Sequence, residues 1–144
     1  MTEPFVRTGD GVRVHLSKAE VAVLRGLPEV IAADGDAGGR LDYRAHPDDP
    51  TAEARYRDLI GEDLNRLRAA DRRAFTRGLG RGEVTVEDAE AWMRVVGEAR
   101  IVLAARLGIT DDGWEDDART TRDPEMALLA YLGYLQDALV TALS

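Results

Sequence analysis

Few residues in this chain could perform covalent chemistry, and those few sit in structural settings. There is no cysteine, so no thiol nucleophile, disulfide or thiolate metal site is available. Ser17 and Ser144 are the only serines, and neither lies in a Gly-x-Ser-x-Gly elbow, the strained turn that presents a nucleophile. His15 and His46 are the only histidines, and no His-x-x-x-His spacing occurs. No catalytic residue, metal or cofactor is therefore expected. Gly78-x-Gly80-x-Gly82 has the look of a phosphate loop, but such glycines follow a strand and open a helix, whereas these close one.

The charged residues are more informative because they are segregated. Residues 64–81 carry Arg66, Arg68, Arg72, Arg73, Arg77 and Arg81 against Asp71 alone. At helical periodicity Arg66, Arg73 and Arg77 share one face. Arg66, Arg72, Arg73 and Arg77 are candidates for docking phosphates or an acidic partner. The blander alternative is a solvated face with Glu62 and Arg66 paired at i,i+4. Acidic groups gather instead at Asp111-Asp112 and Glu115-Asp116-Asp117 around Trp114. An exposed Trp114 would serve as a partner hook; folding back onto the core is the alternative. The acidic segment could also cover the arginines within the same molecule. Glu98, Arg100, Gln136 and Asp137 are the candidate buried polar groups, because the two helices that carry them could pack together. Such a network is usually structural, and it is also the best candidate for a ligand site.

The elements that must position these groups follow from pattern. Phe5–Thr8 and Val12–Leu16 alternate around Gly9-Asp10-Gly11, which predicts a β-hairpin over about 4–16. Ser17 and Glu20 form a capping box for a helix through Val23, Leu24, Leu27 and Ile31, which Pro28 should bend or interrupt. Residues 34–50, rich in Gly, Pro and Asp, read as a loop. A second helical region spans about 51–77, and Gly61 is a candidate break. Glu83–Val86 is β-prone. A helix over 87–107 carries an apolar stripe through Trp92, Val95, Val96, Ala99, Val102, Leu103 and Leu107. Residues 108–122 form an acidic loop. Asp123-Pro124 then starts a last helix to about Leu143, with Asp123 as N-cap. Residues 14–20 and 84–90 echo one another as a short strand feeding a capped helix. The likeness is short enough to be chance; otherwise the two β segments pair in a small sheet.

The last helix is apolar almost all round and has no Lys or Arg. Gln136 and Asp137 near its middle argue against a membrane span. A core helix, or one shared in a homodimer through 124–143, is expected instead. In that register Leu128, Leu132, Leu135 and Leu139 face the core, and the side with Leu129, Gly133 and Val140 meets a second chain or a partner.

The chain has 144 residues, a net charge of −8, 44% hydrophobic and 32% charged residues, which favours one folded domain over 1–144 rather than a disordered chain. The fold class expected is mainly α, a compact helical bundle-like domain with a short N-terminal β-hairpin. The acidic balance opposes non-specific nucleic-acid binding by bulk charge. Met1–Arg7 has no apolar signal region, so a cytoplasmic location is expected.

Ala91-Trp92-Met93 through Glu98-Ala99-Arg100 to Ala105-Arg106-Leu107-Gly108-Ile109 resembles the Trp-helix motif of the domain-of-unknown-function family 2017. Leu16-Ser17-x-x-Glu20-x-x-x-Leu24 and Leu132-x-x-Leu135-Gln136 extend the resemblance over nearly the whole chain. The Arg-over-Lys bias (Lys18 is the only lysine) fits the high-GC Gram-positive bacteria of that family. The resemblance implies an AosR-like oxidative-stress transcriptional regulator, often encoded beside the ClpS protease adaptor, with a sigma-factor partner and a thiol redox switch. This chain departs from it: without cysteine the switch is impossible, and Gly97-Glu98 replaces the motif's Asn-Asp.

The expected function is non-enzymatic regulation through a protein partner, with transcription machinery suggested by the resemblance. The alternatives are direct DNA binding through Arg66–Arg81, an accessory role in Clp proteolysis, and a small-ligand-binding domain. Salt-dependent duplex binding would mark the DNA binder. A deep pocket lined by Glu98, Arg100 and Gln136 would mark the ligand binder.

Overall fold

The computed structural model describes residues 3–33, 50–108 and 124–144, with side chains along the long helix that starts at Pro50 described from Gly61 onward. The loops expected over 34–50 and 108–122, with His46, the acids 111–117 and Trp114, lie outside the described residues apart from Pro50 and Gly108. So does the Asp123 cap.

The described chain is mostly helical with a small antiparallel sheet, as expected from the patterning. Strand β1 (Phe5–Arg7) pairs with β2 (Gly11–Val14), and β2 pairs in turn with β3 (Glu83–Thr85). Phe5 stands opposite Val14, and Val12 opposite Val84. Alternation places Phe5, Val12 and Val84 on the core side, all buried. The two β segments that lead into the echoed stretches therefore do pair, and both feed capped helices. β3 ends one residue earlier than the β-prone run, because Thr85 is already the N-cap of the next helix and Val86 its first residue.

Helix α1 (Lys18–Arg25) opens with the complete capping box: Glu20 N–H donates to Ser17 Oγ at 3.1 Å, and Ser17 N–H donates to Glu20 Oε1 at 3.0 Å. The break falls at Gly26, and Pro28 is accommodated in the first turn of α2 (Leu27–Ala33), where a missing N–H costs little. Helix α3 (Pro50–Gly78) runs unbroken through Gly61, so the suspected interruption is absent. Glycine lowers helix stability by about 1 kcal/mol without preventing helix formation.

Helix α4 (Val86–Leu107) is the centre of the fold. Ala89, Ala91, Trp92, Val95, Val96, Ala99, Val102 and Leu103 are all buried. Trp92 is 1% exposed and makes edge contacts with Phe75 of α3 at 4.9 Å and Phe5 of β1 at 6.0 Å between ring centroids. Its ring contacts thus join α3 and the sheet to α4. Gly78 is part of the same packing. A Cβ there would stand 2.8 Å from Trp92 Nε1, so only glycine lets the indole close on the end of α3. The glycine run is a packing and termination device, not a phosphate loop.

Helix α5 (Pro124–Leu143) packs along α4 and reaches β1. By length and composition it could cross a membrane. It supplies Leu129, Leu132, Leu135, Leu139 and Ala142 to the core. The register expected for it needs correction: Leu129 is buried and Leu128 only half-buried, so the core stripe is rotated toward Leu129. Tyr131 fastens α5 to α1 by donating its hydroxyl to Glu20 Oε2 at 2.6 Å. The Ser17 N–H and the Tyr131 hydroxyl hold the Glu20 carboxyl below the ordinary carboxylate range, and burial together with the Glu20 bond pushes the Tyr131 hydroxyl up.

Two outcomes follow. Trp92→Ala should cost about 3–5 kcal/mol in urea unfolding, as for other large aromatic truncations in cores. Glu20 titrates lower in the folded chain, so its stabilisation is complete above its ordinary value of 4.5 and is lost as pH falls through the folded value. Glu20→Gln should therefore flatten the acid limb of the stability–pH curve and lower stability at pH 7.

Candidate functional site

The side of α4 that faces away from the core forms the floor of a groove of about 1050 Å³, with α3 and α5 as walls. Met93, Gly97, Ile101 and Ala104 line the floor, Leu64 and Leu67 belong to α3, and Leu129 to α5. Leu67 is 63% exposed and Ile101 41%, high values for large apolar side chains. The amphipathic pattern explains the geometry. The buried stripe of α4 occupies one half of its circumference, and the groove residues fall on the other half.

Three polar pairs are built into this groove. Glu98 accepts from Arg72 Nη2 at 2.6 Å, with the glutamate side chain only 10% exposed and the arginine 31%. Asp71 accepts a two-pronged bond from Arg94, Nε at 2.8 Å and Nη2 at 2.9 Å. That pairing raises the Arg94 guanidinium further above its already high value. Adjacent Asp71 and Arg72 on α3 thus face Arg94 and Glu98, one turn apart on α4, with charges matched. The third pair lies on the other wall, where Arg100 Nη1 donates to Gln136 Oε1 across α4 and α5. Gly97 makes room for it, and Gly133 lies beside it. A Cβ on Gly97 would come within 2.9 Å of Gln136 Nε2, and one on Gly133 would touch the Arg100 guanidinium at 3.6 Å.

The sequence-level candidates therefore divide. Glu98, Arg100 and Gln136 do line one groove, although Glu98 is held by Arg72 of α3 and not by Arg100. Asp137 does not join them: it is exposed, beside Tyr134 and Glu3 at a smaller cavity of about 230 Å³. Arg72 was expected to be exposed for docking, and here the structure corrects the sequence. Its charge is spent on Glu98, with Nε buried and without a hydrogen-bond partner. Arg66, Arg73 and Arg77 are exposed on the side of α3 opposite the groove. Arg66 lies 3.5 Å from Glu62 and 3.8 Å from Asp63, and Arg77 lies 4.0 Å from Asp88. The roles of Asp71, Arg94 and Gly97 were missed. The available signal was reciprocal: an Asp-Arg pair on one helix and Arg/Glu at i,i+4 on the next.

Fold and site define a cysteine-free, mainly helical domain organised around one central helix, with a small antiparallel sheet at one end and an apolar groove carrying ion pairs along its side. Residues 2–143 match the family described as "Domain of unknown function (DUF2017)", and the chain belongs to that family. No match was found among curated proteins or solved structures.

The ion pairs predict a contrast. Glu98→Ala strands a half-buried guanidinium and should cost about 1–3 kcal/mol in denaturant unfolding. Arg94→Ala removes a more exposed partner and should cost about 1 kcal/mol or less.

Proposed function

We propose that this protein is a non-enzymatic, cytoplasmic regulator that acts by binding a protein partner. The observation that supports this is the outer side of α3. Arg66, Arg73 and Arg77 are exposed together there, 75% and 56% for the first and last side chains, in a chain of net charge −8. A local field opposed to the global charge steers an acidic partner toward one face. Exposed guanidinium groups then suit bidentate contact with carboxylates. The resemblance to AosR-like stress regulators suggests transcription machinery, such as a sigma factor, as that partner. A thiol switch plays no part, since cysteine is absent. Duplex DNA is a weaker occupant for the same face, because the net charge opposes the phosphate backbone. An accessory role in Clp proteolysis would use the same kind of contact.

A second function, binding a small ligand, is supported by the groove, which brings Glu98, Arg100 and Gln136 to one apolar cavity. A homodimer through α5 would have to use its exposed Tyr134 and Val140, since Leu129 is taken by the core.

The test of the partner proposal is Arg66→Glu with Arg73→Glu, which leaves the Arg72–Glu98 pair intact. Affinity capture from native cytoplasm should retain transcription machinery with the wild-type chain and lose most of it with the double variant, at unchanged helical circular dichroism. Equal capture by both would overturn the docking role of this face. Salt-dependent binding of duplex DNA, lost in the same variant, would replace the protein partner by DNA.

A further inference from the structure

We infer that the groove between α3, α4 and α5 is a binding site for a small apolar carboxylate, a carboxylic acid on an extended or aromatic hydrocarbon body, with Arg100 as its anion receptor. This deepens the small-ligand function and is independent of the outer arginine face.

The charge accounting inside the groove carries the inference. Among the described residues the carboxylates that line it are already neutralised, Asp71 by Arg94 and Glu98 by Arg72, and Arg68, which also lines the groove, has an interaction of its own. Among the described residues Arg100 has no such partner. Its hydrogen bond goes to the neutral amide oxygen of Gln136, and its Nε is buried without an acceptor. A guanidinium has five N–H donors in a planar fork that matches a carboxylate. Leaving a cation half-buried against apolar walls with one neutral acceptor is costly, and an incoming carboxylate removes that cost.

The position is built. Gly97 on α4 clears the space in which Arg100 and Gln136 meet, the guanidinium lies beside Gly133 of α5, and Gln136 fixes it from one side. Beyond that polar end the lining is Leu64, Leu67, Met93, Ile101, Ala104 and Leu129, which can bury a hydrocarbon body. A volume of about 1050 Å³ suits a lipid-sized or drug-sized molecule. Among the described residues no unpaired carboxylate of the groove opposes the entry of an anion. Apolar body and negative head are both specified by this lining.

The test uses the full chain, labelled with ¹⁵N, and decanoate as the probe, with 1-decanol as its uncharged twin. Decanoate should shift the Arg100 Nε–H resonance saturably and should bind at least about tenfold more tightly than decanol, the factor expected of a charge-assisted hydrogen bond. Arg100→Gln should reduce decanoate binding to the level of decanol. Ile101→Trp, a substitution at a partly exposed position of the groove floor, should block both probes. If Arg100→Gln fails to fold by circular dichroism, the Nε–H shift and Ile101→Trp decide the matter. Equal binding of decanoate and decanol, or equal decanoate binding by wild type and a folded Arg100→Gln, would overturn Arg100 as the receptor. No saturable shift at millimolar decanoate would overturn the small-molecule site and leave the groove to a macromolecular partner.

Discussion

Burial of one half of α4 is the constraint on which the rest depends. Trp92, Val95, Val96, Ala99, Val102 and Leu103 are each 1% exposed or less, so this helix is locked in rotation about its own axis. Once that rotation is set, the other half of the helix must face outward between α3 and α5. The groove is thus a by-product of core packing before it is anything else. Its floor is apolar at Met93, Ile101 and Ala104, where a purely solvated face would carry charges. The core does not require that composition, and it is the reason to look for an occupant. The Trp92 cluster also couples distant parts of the chain. Phe5 comes from the first strand, Phe75 and Gly78 from the end of α3, and all close on one indole.

The ion pairs do a different job from the core. Hydrophobic contact between α3 and α4 is tolerant of sliding, since many apolar pairs are nearly equivalent. Matching Asp71 and Arg72 to Arg94 and Glu98 is not: a shift of one helical turn would oppose like charges or strand a guanidinium. These pairs therefore specify register more than they add stability. The Asp71–Arg94 pair is exposed enough on the arginine side (54%) for solvent to screen most of its attraction. In fixing the register they also consume the groove carboxylates. Arg100 is left as the polar group whose charge the packing of α3 on α4 does not answer.

Local signals in the sequence were strong wherever a single short-range interaction decides the outcome. The capping box at Ser17 and Glu20, the hairpin at Gly9–Gly11, the stripe on α4 and the start of α5 at Pro124 are all of this kind, and each appears where the pattern places it. Boundaries set by competition were less legible. Pro28 sits inside α2 because Gly26 had already ended α1, and Gly61 is carried by the length of α3. Tertiary pairing was the least visible. Nothing local marks Arg72 as the partner of Glu98, 26 positions away, or Glu20 as the acceptor for Tyr131, 111 positions away. An arginine-rich segment reads as a uniform basic face until the neighbouring helix shows which arginines are spent. For the same reason the candidate ligand site was half visible: Glu98, Arg100 and Gln136 could be named, whereas Gly97 acquires meaning only when α4 and α5 are seen to touch.

The uniform apolarity of α5 finds its explanation in the same geometry. A helix apolar on every side suggests a membrane or a second subunit because one core can occupy only one side of it. Here three different neighbours share the circumference. The core takes Leu129, Leu132, Leu135 and Leu139, the Arg100 side chain of α4 lies over Gly133, and β1 meets the C-terminal half. Gln136 is tolerated at the centre because it answers a guanidinium, where a lipid-facing glutamine would have no partner. What stays uncovered among the large apolar side chains is Tyr134 at 51% and Val140 at 49%. Two half-exposed side chains are within what a monomer surface carries without further explanation. What distinguishes Leu67 and Ile101 is not their exposure but that they share one groove between α3 and α4 with Leu64, Met93 and Ala104, which moves the weight of the binding question from the last helix to the groove.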